Sequence, residues 1–357
     1  MKIPLFKIKW DKNDIKAIEK VVSRGTEWTI GGEADEFEKK LAKYTGAKYA
    51  IVCNSGTSAL HASLIALGIG EGDEVIVPSF SYIATANCVL FVGAKPVFAD
   101  IEKETYGLDP KDVLKKITNK TKAIIPAHVG GTSCKIQELK EIADDYGLFL
   151  IEDACEGLGA YYGKKMVGTF GEIGVYSFCQ NKIITTGDGG AIVTDNKELY
   201  KKLKRLINHG KEKDFVDLGY NWRMSNIVAS LGISQLNKIS NNIKRKREIA
   251  ERYDYAFDGF VSHKKGIFET YQLYTRNFGG ERESIRKHLN KKGIGNKVYF
   301  EPIHLTPFYR RLGYGKVNLP ITEKISKQAL TLPCYPDLTN KEVDIIAKYV
   351  IRHFKED

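Results

Sequence analysis

The sequence predicts an α/β protein: a large domain with a mostly parallel central sheet and helices on both faces, then a smaller α+β domain. Three observations carry this. Short runs that read as buried strands alternate with helical patterns from about residue 33 to 210. Repetition of strand, helix, strand is the signature of a parallel sheet covered by its own crossover helices. After about residue 241 the texture changes to mixed helices and isolated strands.

The elements follow in chain order. MKIPLFKIKW opens the chain as an arm over residues 1–12. YAIVC at 49–53 reads as a buried strand, and SALHASLIAL as the helix after it, closed by Gly68. EVIVP at 74–78 is a second strand, followed by the helical YIATANCVLFV and Gly93. PVFAD, a helix opened by Asp109 and Pro110, and AIIPAH continue the alternation. IQELKEIADDYG leads into the strand LFLIED at 148–153, and GVYSF and AIVTD are two more strands. Helical patterns cover 225–237 and 241–257. In the second domain QLYTRNF and NKVYF read as strands, ERESIRKHLNKKG as a helix, and an amphipathic helix follows Asn340. The domains are 1–240 and 241–357, with no internal repeats or low-complexity linker.

Composition narrows the function classes. With 357 residues, 43% hydrophobic and 28% charged, the chain has ample length for a large core. No apolar run approaches the roughly 20 residues of a membrane span, and the N-terminus lacks a signal-peptide pattern, so a cytoplasmic place of action is expected. The six cysteines are scattered without CxxC spacing, and the seven histidines form no HExxH. Free thiols and no metal site are the expectation. Net charge is +11. The densest basic run, Lys244–Arg247, reads as a solvated helix face; no motif beside it points to nucleic acid.

Three stretches carry chemistry. Asn54-Ser55-Gly56-Thr57-Ser58 lies between a strand and a helix. Small residues there let backbone N–H groups meet an anion at the helix N-terminus, although such turns also serve only as caps. GIGEGD at 68–73 follows a helix and not a strand, so it is no dinucleotide fingerprint. Asp153, in Ile151-Glu152-Asp153-Ala154-Cys155-Glu156, ends a buried strand. A carboxylate there suits a protonated ring nitrogen of the kind pyridoxal phosphate (PLP) carries; a structural cap is the alternative. Ser177-Phe178-Cys179-Gln180-Asn181-Lys182 precedes a Thr-Thr-Gly-Asp-Gly-Gly turn. A lysine desolvated at that place would have a lowered pKa, which suits Schiff-base chemistry.

Taken in order along one α/β domain, these stretches resemble the nucleotide-sugar aminotransferases of the DegT/DnrJ group. They share the aspartate-aminotransferase-like fold, fold type I of the PLP-dependent transferases. The resemblance extends through GTSALHASLIALGIGEGDEVIVPSFSYIATAN, GAKPVFADI, GYNWRMSNIVASLGISQL, PIHLTPFY and LPCYPDLT. It implies PLP as cofactor and Lys182 as the Schiff-base lysine. It implies Asp153 as partner of the pyridine nitrogen, Glu156 beside the ring hydroxyl and Tyr82 stacked on the ring. Gly56, Thr57 and Ser177 match phosphate contacts. Asn221 matches a residue that reaches the phosphate from the neighbouring subunit, which implies a homodimer with shared sites. His304, in PIHL, matches a region that enters the neighbour's site near the sugar. Arg223 is structural or substrate-facing. Cys155 replaces a common Ala, and HVGGTSCKI departs from the usual His-x-Tyr-Gly-Gln-like segment.

The implied reaction moves an amino group from L-glutamate to a nucleotide diphosphate-linked keto-sugar. The subgroup it most resembles is that of perosamine-synthase-type 4-aminotransferases. A net positive protein with a basic cleft would attract such an anion. The rivals are a PLP-dependent sugar dehydratase, whose branch has His where this chain has Lys182, and a cyclitol aminotransferase. More remote are a non-catalytic PLP-binding regulator and a nucleotide-dependent dehydrogenase.

Overall fold

A computed structural model describes residues 2–261 and 264–353. Helices α1 (Lys12–Ser23) and α2 (Gly32–Thr45) precede the first strand. The sheet region then runs β1 (Tyr49–Cys53), α3 (Gly56–Ala66), β2 (Glu74–Pro78), α4 (Ala84–Phe91) and β3 (Lys95–Ala99). It continues with α5 (Pro110–Lys116), β4 (Thr121–Ile124), α6 (Ile136–Asp145) and β5 (Phe149–Asp153). A short hairpin, β6 (Tyr161–Tyr162) and β7 (Lys165–Met166), separates β5 from β8 (Ile173–Ser177) and β9 (Gly190–Thr194). Helices α7 (Lys197–Leu206), α8 (Asn226–Leu236) and α9 (Ile239–Asp258) lead to the second unit.

The main sheet has the order β1-β9-β8-β5-β4-β2-β3. Strand β9 is antiparallel to both β1 and β8, and the other four pairings are parallel. Two reversals cancel, so β1 points the same way as β8, β5 and β2. The carboxyl ends of these strands therefore open onto one edge, where ligands bind in open α/β sheets.

Both faces are apolar, which is why the strands read as buried. Ile51, Val75, Val77, Ile151, Val175 and Ile192 pack on α3, α4 and α7. The alternate residues Val52, Tyr176 and Val193 pack on α2, α8 and α9. Ile76, Ile124 and Leu150 meet α5 and α6. Each fully buried Val, Leu or Ile contributes about 1.5–3 kcal/mol.

The second unit packs α9, α10 (Arg282–Lys291) and the C-terminal helix around the antiparallel pair β11 (Tyr274–Asn277) and β12 (Ala329–Leu332). Strand β10 (Ile267–Phe268) instead pairs with β6. Helices α11 (Pro307–Arg311), α12 (Pro320–Gln328) and α13 (Asn340–His353) complete the chain. Ile3 of the N-terminal arm packs into this second core and bonds to Gly293 and Gly295.

Two expectations fail here. NKVYF is not a strand: only Lys297 makes a bridge, to Thr331. Of the basic run only Lys244 is a solvated residue; the other three are engaged. Lys246 is buried and donates to the carbonyls of Gln272 and Cys334. Arg245 donates to the Leu338 carbonyl, and Arg247 to that of Glu269 while lying over the Phe268 ring. Helical spacing puts these cations against loops of the second unit, where carbonyls left outside the ladders need donors. All six cysteines are free. Among the described residues, no cluster fit to hold a metal is present, and no helix is long and apolar enough to cross a membrane.

Candidate active site

A cavity of about 420 Å³ lies at the carboxyl edge of the sheet. Its walls include Gly56, Thr57, Tyr82, Asp153, Glu156, Ser177 and Lys182, so the fold brings seven predicted site residues together. Its size is typical of a small-molecule site.

The β1–α3 turn supplies an anion cradle. Ser55 caps α3 by accepting from the Ser58 N–H at 3.1 Å. Among the described residues, the N–H groups of Gly56 and Thr57 have no acceptor. They stand at the positive end of an 11-residue helix. Gly56 is required by close approach: a Cβ there would sit 2.9 Å from Cys155 Sγ and 3.1 Å from Ser177 Cβ. Ser177 thus lies directly below the turn. These groups fit a phosphate.

Asp153 ends β5 with both oxygens held. Oδ1 accepts from the Cys155 N–H at 3.2 Å and Oδ2 from Thr85 Oγ1 at 2.7 Å. Tyr82 presents its ring openly, 64% exposed, at the cavity wall.

Lys182 stands on a loop pinned from both sides. Gln272 Nε2 donates to the Asn181 carbonyl at 2.6 Å, and Asn242 Nδ2 to that of Ile183 at 3.2 Å. Its Nζ lies 3.1 Å from Glu156 Oε1, and Glu156 Oε2 accepts the Gly130 N–H at 2.9 Å. A lowered lysine pKa was the expectation, and the geometry reverses it. Burial pulls the ammonium down, but Glu156, Cys155 and Asp153 outweigh burial, and the net shift is upward. The expected basic cleft fails too. The lining carries Asp153, Glu156 and Asp188 against Lys182, Lys297 and His128, whose imidazole pKa is raised to about 10, so the charges balance and leave no basic excess.

Three predicted residues stand outside this cavity. Asn221 is exposed and bridges Asn208. Arg223 donates through Nη1 to Asn208 Oδ1 at 2.9 Å, which makes it a strut of the 206–223 loop in this chain. His304 is fully buried inside its own chain, Nδ1 2.7 Å from Ser79 Oγ, and so does not project toward a neighbour. Burial lowers its pKa, partly offset by Glu323. The PIHL segment packs here because Ile303 donates to the Ser79 carbonyl at 2.9 Å, which draws the imidazole beneath the β2–α4 turn.

Other residues in and behind the lining escaped the sequence reading. Ser81, in the lining, and Thr85, behind it, look like ordinary turn and helix residues, and only the fold sets Thr85 on Asp153 and Ser81 on Thr85. His128 pairs with Glu152, which also accepts three backbone N–H groups from Gly168, Phe170 and Gly171. The departing HVGG stretch has a local reason. Gly131, with φ +85°, lies so close to the second unit that a Cβ would reach 2.8 Å from the Gln272 N.

An anion cradle, a strand-end carboxylate, an exposed aromatic face and one pinned lysine on this fold define a PLP-dependent aminotransferase. The family model for the DegT/DnrJ/EryC1/StrS aminotransferases matches residues 9–351, and the chain belongs to that family. It is 40% identical to a GDP-perosamine synthase of Escherichia coli O157:H7, over 91% of each chain. It is 35% identical to the UDP-4-amino-4,6-dideoxy-N-acetyl-beta-L-altrosamine transaminase of Campylobacter jejuni, covering 94% of this chain and 93% of that one. Among solved structures, Helicobacter pylori PseC, an aminotransferase involved in the biosynthesis of pseudoaminic acid, superposes with a TM-score of 0.93 over all of both chains at 30% identity. The chain is therefore a sugar aminotransferase of amino-sugar biosynthesis.

Proposed function

We propose that this enzyme transfers an amino group from L-glutamate to C4 of a nucleotide-linked keto-deoxysugar. The observation that carries the reading is Lys182, pinned on both flanks and 3.1 Å from Glu156, in a cavity that also holds Asp153 and the anion cradle. Gly56, Thr57 and Ser177 would hold the cofactor phosphate, Tyr82 would cover the ring and Asp153 would pair with its nitrogen. Bound PLP supplies the electron sink for breaking bonds at the amine carbon. Lys182 would anchor the cofactor, and its amine, when free, would hold and move the proton at the reacting carbon. Glu156 receives the Lys182 charge while the amine is free. The names of the E. coli and Campylobacter relatives support the sugar-nucleotide class, and the second supports position 4.

A shared site in a homodimer belongs to the same reading. Asn221 is exposed and does not line its own cavity, and the loop beside it bares Phe215, Val216 and Leu218. The balanced charges of the cavity also leave no cationic surplus for a sugar diphosphate, which a second copy would supply.

The test is amination of nucleotide 4-keto-6-deoxysugars with ¹⁵N-glutamate, read by mass and NMR. Label at C4 is expected. Turnover without glutamate, or label elsewhere, overturns the reading. Mixed Lys182→Ala and Asn221→Ala chains, each inactive alone, should regain activity in the same assay; a fully active monomer removes the shared site.

A further inference from the structure

Thr85 and Ser81 lie beside the catalytic groups, yet no role above uses them. Thr85 Oγ1 is 2.7 Å from Asp153 Oδ2, 2.8 Å from Ser81 Oγ and 3.0 Å from the Tyr82 carbonyl. Thr85 is 0% exposed, Ser81 6% and Asp153 7%. A threonine hydroxyl has one proton to give. Given to the Tyr82 carbonyl, it would turn oxygen lone pairs toward a buried carboxylate. Given to Asp153, it makes a charge-assisted bond, roughly twice as strong as a neutral one. Thr85 therefore donates to Asp153 and accepts from Ser81.

We infer that Thr85, backed by Ser81, is a positioning residue that fixes the Asp153 carboxylate against the pyridine nitrogen of the bound cofactor. The inference rests on the proposed pairing of Asp153 with that nitrogen. The same turn carries Tyr82, so the ring's stacking partner and the carboxylate facing its nitrogen are tied to one segment. His304 and Ile303 hold the base of that segment at Ser79. Without the Thr85 donor, Oδ2 is free to turn and keeps the proton on the ring nitrogen less firmly. A less cationic ring withdraws less charge from the Lys182 linkage, which then stays protonated to higher pH.

The test titrates the visible absorption of the PLP-loaded enzyme in wild type, Thr85→Val, Thr85→Ser and Ser81→Ala. Thr85→Val should raise the midpoint by roughly half a unit to one unit. Its kcat should fall about tenfold, with KM for the sugar nucleotide changed less than about twofold. Ser81→Ala should move the midpoint the same way by less, and Thr85→Ser should restore it. An unmoved midpoint in Thr85→Val overturns the inference, as does a Thr85→Ser as impaired as the valine. If the valine variant does not fold, an unmoved Ser81→Ala midpoint overturns it. Borohydride reduction of the wild type separates the two failures. Without a pyridoxyl group on Lys182 the cofactor reading falls and takes this one with it; with that group present and no shift, only the Thr85 role falls.

Discussion

At Lys182 two effects oppose each other, and the distance to Glu156 decides which wins. Desolvation favours the neutral amine, while a carboxylate 3.1 Å away favours the cation, helped by Cys155 and Asp153. The shift is upward from the ordinary 10.5. A folded-state pKa raised above the unfolded one stabilises the cofactor-free fold fully below about pH 10.5, and that stabilisation is lost as pH rises through the folded value. Glu156→Gln removes the main opposing charge, so Lys182 should lose its proton at lower pH. In cofactor-free protein the rate of acetic anhydride labelling at Lys182, read by peptide mass at neutral pH, should rise by roughly tenfold for each pKa unit lost. An unchanged rate and unchanged pH profile would mean that Glu156 does not govern the amine. The sequence alone pointed to the opposite direction because burial of the SFCQNK segment was legible and the partner 26 residues earlier was not.

At the scale of elements, the β1–α3 turn works only because small residues share one volume. Gly190 on β9 lets the turn approach, since a Cβ there would meet the Ser55 carbonyl at 2.4 Å. Gly56 then settles on Cys155 and Ser177. Gly56→Ala should cost about 1–3 kcal/mol of overpacking, and so weaken PLP binding by roughly tenfold or more in fluorescence titration of the cofactor-free protein. Cys155→Ala removes the nearest atom, 2.9 Å away, so the double variant should recover part of the loss. Strictly additive effects would contradict this packing. Strands such as YAIVC and EVIVP were readable because both sheet faces are apolar. The direction of β9 was not, since an apolar run carries no sign of the strand it will pair with. NKVYF failed because its alternating pattern suits a strand, yet the Tyr299–Phe300 stretch lines the cavity and has no ladder. Thr85 was invisible as a site residue because its partner Asp153 is 68 residues away.

For the whole molecule, the active-site loop of the main-sheet unit is held by side chains of the second unit. Gln272 and Asn242 pin the residues flanking Lys182, and Lys246 ties the Gln272 carbonyl to that of Cys334. The unit beyond the main sheet thus sets the position of the reactive amine as well as closing the cavity with Lys297, Tyr299 and Phe300. The account stands on Lys182 being the residue that holds the cofactor, and one measurement addresses it directly. The PLP-loaded enzyme is reduced with borohydride, digested and mapped by mass spectrometry. A pyridoxyl group on the peptide containing Lys182, absent from that peptide when glutamate has first converted the cofactor to its amine form, is the predicted result. The group on another lysine, or no trapped group at all, would contradict the account.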